Sequence, residues 1–180
     1  MVYIFLAKGF EEIEAITCAD ILKRAGEDVR LVSTETTKMV LGAHEINIES
    51  DIMLSECDFK ECRMIVLPGG MPGTTNLLKN KELTDQIVKF DEEGKMVAAI
   101  CAAPMILGKL NLINNRRATI YPGMEEYLNG AICSKDKVVV DENIITSQCP
   151  ATAMEFALKL AELLAGNEKA LQVKEGLALK

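Results

Sequence analysis

The sequence predicts an α/β fold in which helices cover both faces of a mostly parallel sheet. Three short runs are entirely apolar: Val2–Leu6, Met64–Leu67 and Met96–Ile100. Strands that are buried on both faces have this composition, because neither set of side chains meets water. Segments with helical periodicity separate these runs, as is typical of strand–helix–strand units. The length suits one core, so a single domain over residues 1–180 is expected.

The first third of the chain predicts a strand–helix–strand unit followed by a hairpin. A helix is expected over Glu11–Ala25, because its apolar residues recur at helical spacing and Gly26 supplies a C-terminal stop. The strand Val29–Ser33 follows, which implies a right-handed parallel crossover. Met39–Leu41 and Glu45–Ile48 flank a Gly-Ala pair and are interpreted as a hairpin with one solvated face.

The rest of the chain continues the alternation. Asn80 is a suitable N-cap for a helix over Lys81–Glu92, which Gly94 closes. The remaining elements are predicted as strands at Ala118–Tyr121, Val138–Val140 and Ile144–Ser147, a long helix at about Ala151–Ala165 and a short turn at Ala170–Lys174.

Composition and charge exclude two classes of partner. The net charge is −7 and the pI is near 4.9, which is the wrong sign for a nucleic-acid-binding protein. No charge-free apolar run approaches the length of a membrane span. The first residues also become charged too early for a signal peptide. We therefore expect a cytoplasmic protein that binds neither nucleic acid nor membranes.

The six cysteines are expected to be free thiols, since disulfides are rare in the cytoplasm. None of them has Cys-x-x-Cys spacing, and the single histidine, His44, is too distant in sequence to complete a zinc pattern. We expect no metal site. The sequence has neither a Walker loop nor a G-x-G-x-x-G pattern, so no nucleotide cofactor is expected either.

Cys101 occupies the most informative position in the sequence. It directly follows the apolar run Met96–Ile100 and precedes two small residues and Pro104, which suits the first turn of a helix. A nucleophile elbow has this strand–turn–helix arrangement. A thiol at a helix N-terminus is expected to have a lowered pKa, because N–H groups and the helix dipole stabilise the thiolate. The alternative is an inert buried cysteine that behaves as a small apolar residue.

Three turns are predicted at the carboxyl ends of strands, where α/β sheets bind ligands. They are Ala7–Glu14, Gly69–Gly73 and Cys101–Pro104. Their convergence favours a functional cysteine over an inert one. Within the second turn, Gly69 and Gly70 offer bare N–H groups that can face an anion.

Glu14 is the candidate carboxyl group for this site. It lies between Ile13 and Ala15 near the start of the first helix, where it can turn toward the sheet. Burial would raise its pKa, so that it could donate a hydrogen bond to a thiolate or act as an acid or base. Glu11 and Glu12 are interpreted as complementing the helix dipole. A Cys–His dyad would require His44, which lies far from Cys101 in sequence, so a conventional cysteine hydrolase is not favoured.

Four motifs together resemble the ThiJ/PfpI superfamily in its parkinsonism-associated (DJ) branch. They are AKGFEEIEA at 7–15, VLPGG at 66–70, AAICAAP at 98–104 and TSQCPATAMEFAL at 146–158. The resemblance covers essentially the whole chain. It implies a flavodoxin-like three-layer sandwich that assembles as a homodimer. It also implies that Cys101 is the reactive cysteine, Glu14 its carboxyl partner, and the N–H groups of Gly70 and Ala102 the anion-holding pair.

Two positions depart from the family pattern. Tyr121 precedes Pro122 where relatives often carry a histidine, and a phenol donates hydrogen bonds but is a poor base at neutral pH. Tyr121 is therefore an accessory candidate only, and protease activity is not expected. Gln148 stands where relatives often carry an arginine, which weakens anion binding at that edge.

The resemblance implies a glutathione-independent glyoxalase that hydrates methylglyoxal to lactate, or a related protein deglycase. Cys101 would add to the aldehyde, Glu14 would move a proton between two carbons, and the N–H groups of Gly70 and Ala102 would stabilise the oxyanion. One alternative is a non-enzymatic sensor of oxidative stress, or a redox-regulated chaperone, that uses oxidation of Cys101. Another is a role in thiamine metabolism, which a family name suggests although the sequence has no phosphate loop.

Overall fold

The computed structural model describes residues 1–179, so Lys180, the last residue of the predicted domain, lies outside the described residues. The strands are β1 Val2–Leu6, β2 Val29–Ser33, β3 Met39–Leu41, β4 Asn47–Glu49, β5 Ile52–Met53, β6 Met64–Leu67, β7 Met96–Ile100, β8 Arg117–Ala118, β9 Ile132–Cys133, β10 Val138–Asp141 and β11 Ile144–Ser147. The helices are α1 Glu12–Arg24, α2 Gly73–Lys79, α3 Lys81–Glu92, α4 Pro104–Lys109, α5 Ala153–Ala165 and α6 Asn167–Gly176. Three short 3₁₀ turns cover Leu54–Glu56, Glu125–Tyr127 and Pro150–Thr152.

The central sheet has seven strands in the order β10-β11-β7-β6-β1-β2-β5. All neighbours are parallel except β10 and β11, which form an antiparallel hairpin at one edge. The strands that alternate with helices run β2-β1-β6-β7-β11, which is the flavodoxin-like order. The predicted α/β class and mostly parallel sheet are therefore confirmed. The pairs β3–β4 and β8–β9 form two small separate sheets.

The side chains of β1 show how the sheet is covered on both faces. Val2, Ile4 and Leu6 point into a core shared with α1, α5 and α6. Tyr3 and Phe5 point into the opposite core, which contains the apolar residues of α2, α3 and α4. The strand is buried along its whole length, because successive side chains alternate between two dry layers. The uninterrupted apolar runs in the sequence have the same cause.

The predicted strand over Ala118–Tyr121 is wrong in extent. Only Arg117–Ala118 is extended, and it pairs with Ile132–Cys133 outside the central sheet. The N–H of Thr119 donates to the Thr146 hydroxyl at 3.0 Å, and the N–H of Tyr121 donates to the Cys101 carbonyl at 2.9 Å. These bonds replace a strand ladder and fix the segment against the end of β7.

Other differences lie at element ends, in short helices and in the two-residue strands β5 and β9, which were not predicted. Glu11 is the N-cap of α1 rather than its first residue, and its carboxylate accepts the N–H of Glu14. The helix α2 was not predicted, and the turn expected at Ala170–Lys174 is part of the ten-residue helix α6. Asn80 caps α3 as predicted, accepting the N–H of Leu83. Within residues 1–179, no helix is long and apolar enough to cross a membrane.

Candidate active site

Cys101 lies at a sharp turn between β7 and α4. Its φ angle is +64°, in the left-handed region, which is unfavourable for a residue with a Cβ. Its N–H donates to the Ser147 carbonyl at 3.0 Å, and its carbonyl accepts the N–H of Tyr121 at 2.9 Å. The neighbouring segments therefore clamp the strained backbone from both sides. The residue is 9% exposed, so little of it meets solvent.

Glu14 is fully buried in the first turn of α1 and lies next to this cysteine. Its Oε2 accepts the N–H of Gly69 at 2.7 Å, and the carboxyl group and the Cys101 thiol each shift the pKa of the other. Among the described residues, its Oε1 is buried without a hydrogen-bond partner. A buried, unpaired carboxyl oxygen is costly for the fold, so this oxygen is available to carry a proton or to meet a substrate.

The two glycines of the PGG turn have different roles. A Cβ at Gly69 would lie 2.6 Å from the Cβ of Cys101, 2.9 Å from Oε2 of Glu14 and 3.0 Å from Sγ of Cys101. Only glycine fits between the two functional side chains. The N–H of Gly69, which the sequence suggested as an anion donor, is occupied by Glu14. The N–H groups of Gly70 and Ala102 instead donate to the Cys101 sulfur, where they can support an anion.

The pKa of Cys101 is raised to about 12, and the predicted lowering is wrong. Burial is the largest cause, followed by the charge of Glu14 and the hydrogen bond to Glu14, and together they outweigh the N–H groups of Gly70 and Ala102. The pKa of Glu14 is raised from 4.5 to about 7 by burial, with a smaller contribution from the charge of Glu11. A thiolate in this site therefore requires that the neighbouring carboxyl hold the proton.

Tyr121 contacts the elbow through its main chain. The N–H of Tyr121 bonds to Cys101, as described above, while the residue is 45% exposed. Beside it, Pro122, Lys135 and Gln148 contribute to the walls of a cleft of about 390 Å³. The segments that clamp the Cys101 backbone thus continue into a surface cleft. The side-chain amide of Gln148 donates to the Lys135 carbonyl at 2.9 Å, which turns the amide toward the protein.

His44 is not a partner of Cys101. Its Nδ1 lies 2.8 Å from Oε2 of Glu12, and its N–H donates to Oε1 of the same residue at 2.8 Å. Within residues 1–179, Glu11, Glu12 and His44 are the one group of three ligand-type side chains close enough to hold a metal. Both oxygens of Glu12 already accept hydrogen bonds, and Oε2 of Glu11 accepts the N–H of Glu14. We therefore interpret His44 and Glu12 as a hydrogen-bonded ion pair.

The structure brings the four candidates Cys101, Glu14, Gly70 and Ala102 together, and the roles expected of them stay predictions. Sequence reasoning missed Ser147, whose carbonyl holds the elbow, and the part that Gly69 plays in binding Glu14. The only available signal was the position of Ser147 at the end of a predicted strand beside β7. Sequence reasoning also interpreted Glu11 and Glu12 as charges that complement the helix dipole, although both are buried and make specific contacts.

Comparisons with known proteins show which family the chain resembles. A sequence model described as the DJ-1/PfpI family matches residues 1–163. The chain is 39% identical to the protein dj-1beta of Drosophila melanogaster, over 97% of this chain and 94% of that protein. It is 34% identical to the glutathione-independent glyoxalase DJR-1.2 of Caenorhabditis elegans, over 94% of this chain and 90% of that protein.

A longer relative and a solved structure extend these comparisons. The chain is 39% identical, over 99% of its length, to the Arabidopsis thaliana protein DJ-1 homolog A, but spans only 46% of that relative. It also spans less than half of DJ-1 homolog B from the same plant, at 41%. A structure titled oxidized DJ-1 from Toxoplasma gondii superimposes with a TM-score of 0.95 at 33% identity, covering 99% of this chain and 97% of that one.

Replacing Glu14 with glutamine is expected to stabilise the fold at alkaline pH. The folded-state pKa of Glu14 lies above its unfolded value, so its contribution to stability is fully present below about pH 4.5 and is lost as the pH rises through about 7. Glutamine keeps the shape and the acceptor but has no charge to bury. The expected gain in the free energy of unfolding at pH 8 is about 3 kcal/mol. Urea unfolding at pH 5 and pH 8 measures it.

The control for this experiment is Glu92→Gln, which changes an exposed glutamate at the end of α3. Its free energy of unfolding should change by less than about 0.5 kcal/mol at either pH. Equal stability of Glu14→Gln and the unmodified chain at pH 8 would contradict the raised pKa of Glu14.

Proposed function

The chain belongs to the DJ-1/PfpI family, and we propose that it is a cysteine-dependent enzyme that acts on reactive aldehydes. The observation that carries the proposal is the buried pair of Cys101 and Glu14, with the N–H groups of Gly70 and Ala102 directed at the sulfur. The reaction we infer is that of a glutathione-independent glyoxalase, which converts methylglyoxal and water into lactate. The Caenorhabditis elegans relative is named a glutathione-independent glyoxalase, and this supports the proposed substrate class.

The first step places a proton and a nucleophile on the same substrate carbonyl. The Cys101 thiolate adds to the aldehyde carbon, and the protonated Glu14 gives its proton to the carbonyl oxygen, so a hemithioacetal forms and Glu14 becomes a carboxylate. The N–H groups of Gly70 and Ala102 stabilise the oxyanion as it develops. Attack by the thiolate and protonation of the carbonyl oxygen can occur together, because Cys101 and Glu14 share one proton and Glu14 carries it when Cys101 is a thiolate.

The second step uses the carboxylate left by the first. Glu14 removes the proton from the former aldehyde carbon and returns it to the neighbouring carbon, while the hydroxyl proton of the enediol moves between the two oxygens. The product is a lactoyl thioester on Cys101. Water then hydrolyses the thioester, which releases lactate and restores the thiol. A raised pKa near neutrality suits Glu14 to both directions of proton transfer.

A protein deglycase would use the same first step on an aldehyde adduct carried by an amine or thiol. The deglycase reaction would use the same residues as the glyoxalase reaction.

Purified chain is expected to convert methylglyoxal to lactate, and Cys101→Ser should reduce turnover to background because the nucleophile is lost. Glu14→Gln should lower kcat by about 100-fold or more, the usual effect of losing a general acid–base. Tyr121→Phe is the matched control and should stay within about threefold, since Tyr121 meets Cys101 through its main chain. Enzymatic assay of D- and L-lactate provides the readout.

Two results would change this assignment. Turnover that survives in Cys101→Ser would remove Cys101 as the nucleophile. Equal losses in Glu14→Gln and Tyr121→Phe would transfer part of the proton chemistry from Glu14 to the phenol of Tyr121.

A second candidate function is a sensor of oxidative stress that uses the same sulfur. Two peroxide molecules convert a thiolate into a sulfinate with release of two waters. The N–H groups of Gly70 and Ala102 already donate to the Cys101 sulfur, and protonated Glu14 can donate to a sulfinate oxygen. The similar Toxoplasma gondii structure is that of an oxidized DJ-1, which supports this second candidate function. The role in thiamine metabolism has no comparable support.

Mild peroxide treatment is expected to add two oxygen atoms to Cys101 in preference to the other five cysteines and nine methionines. The reason is local stabilisation of the sulfinate anion by the two N–H donors. Intact mass and peptide mapping locate the oxygens, and Cys101→Ser should gain none under the same conditions. Oxidation spread over the exposed Cys133 and the methionines at equal rates would rule out a dedicated sensor.

The homodimer, the cytoplasmic location and the single domain remain predictions. Ile13 is 57% exposed, Ile46 is 52% exposed, and Ile16 lies on the same helix as Ile13. These isoleucines offer an apolar surface for a second copy.

Light scattering should give about twice the 19.7 kDa chain mass, and Ile13→Glu should lower the measured mass toward that of one chain. Leu171→Glu, which changes another exposed apolar residue, should leave the mass unchanged; a monomeric unmodified chain would contradict the proposal.

A further inference from the structure

The single histidine of the chain makes an unusual contact for a surface residue. His44 lies between β3 and β4 with its side chain 69% exposed, yet both of its partners are carboxylates that are only 7% exposed. Nδ1 is 2.8 Å from Oε2 of Glu12 and 3.8 Å from Oε1 of Glu11. The imidazole therefore faces two nearly buried negative charges at the start of α1.

The backbone fixes this contact in place. The N–H of Ala43 donates to the Phe10 carbonyl at 2.8 Å, and the N–H of Gly9 donates to the Leu41 carbonyl at 2.8 Å. A Cβ at Gly42 would lie 2.1 Å from Oε1 of Glu12. The turn between β3 and β4 is thus pressed against the segment that leads into α1, and the ring of His44 is held over the carboxylates.

Glu11 connects this contact with the active site. Its Oε2 accepts the N–H of Glu14 at 2.9 Å, and its own N–H donates to the Gly69 carbonyl at 2.9 Å. Gly69 in turn donates to the Glu14 carboxyl. A charge at Glu11 acts on Glu14 through little water, because both residues are buried. The charge of Glu11 accordingly contributes to the raised pKa of Glu14.

We propose that His44 is a positioning residue for the Cys101–Glu14 pair, in which the imidazolium charge offsets Glu11 and Glu12 and thereby helps the pair to release its first proton. The inference rests on the roles proposed above for Cys101 and Glu14. This inference does not depend on aldehyde turnover, because the Cys101–Glu14 pair loses its proton in the free protein, without substrate.

The sign of the effect follows from the charges that face each group. Glu11 and Glu12 face His44, and the hydrogen bond with Glu12 is the main cause that raises the pKa of His44. Glu14 faces Cys101 and Glu11, and its charge also acts on Cys18, one turn along α1. When His44 is neutral, the negative charge of Glu11 is not offset, so Glu14 holds its proton more tightly. When His44 is charged, the proton leaves at a lower pH.

A charge series at position 44 tests the proposal. The variants are His44→Lys, which is always charged, and His44→Gln, which can still donate to Glu12 without a charge. The pH dependence of Cys101 alkylation by iodoacetamide is followed by peptide mass, because the other thiols also react. The midpoint near pH 7 should be lowest in His44→Lys, intermediate in the unmodified chain and highest in His44→Gln, with steps of roughly 0.5 pH unit.

Two further variants make the result decisive. Lys38→Gln removes a positive charge at the foot of the same hairpin, where Lys38 faces Asp51 and Glu56, and should leave the midpoint unchanged. Glu14→Gln should abolish the step near pH 7. Coincident midpoints in the charge series, a reversed order, or a uniform fall in rate at every pH would overturn the proposal. A chain without methylglyoxal turnover would still give the predicted order, so the two failures are distinguishable.

Discussion

The hydrogen bond from Gly69 to Glu14 is the contact on which the candidate site depends. It joins the first turn of α1 to the loop after β6, and within residues 1–179 it is the main-chain hydrogen bond that the buried Glu14 carboxyl group accepts. The absence of a side chain at Gly69 lets Cys101 approach from the other side. Three separate segments are therefore assembled around one buried acid, and the acid defines the chemistry.

This arrangement opposes stability at two neighbouring points. Cys101 has a left-handed backbone, and Glu14 buries an oxygen without a partner among the described residues. Each feature costs free energy that a glycine at position 101 or an apolar side chain at position 14 would not cost. Unfavourable conformations persist when the surroundings determine them, and here Ser147 and Tyr121 clamp the elbow. Local costs of this kind are expected at functional sites.

The sequence predicted those parts of the molecule that local pattern controls. Strands β1, β6 and β7 were located to the residue, since a run buried on both faces has no alternation to misread, and the elbow followed from small residues and Pro104. The pattern failed where distant contacts decide. The segment after β8 bonds to Thr146 and Cys101 instead of joining the sheet. The contact between Glu12 and His44 spans 32 residues, and nothing in either local sequence signals it.

The incorrect prediction for the Cys101 pKa shows which force governs the site. N–H groups at an elbow favour a thiolate, but burial and a neighbouring carboxylate disfavour it more. The thiolate therefore forms when Glu14 takes the proton, so the carboxyl group rather than the helix dipole controls reactivity. The proposed enzyme and the proposed sensor differ in which reagent reacts with the Cys101 sulfur first. In the proposed enzyme reaction, the aldehyde receives the proton of Glu14 and returns it. Peroxide would instead leave an oxidised sulfur that can no longer add to an aldehyde, so the two proposed reactions of Cys101 exclude each other.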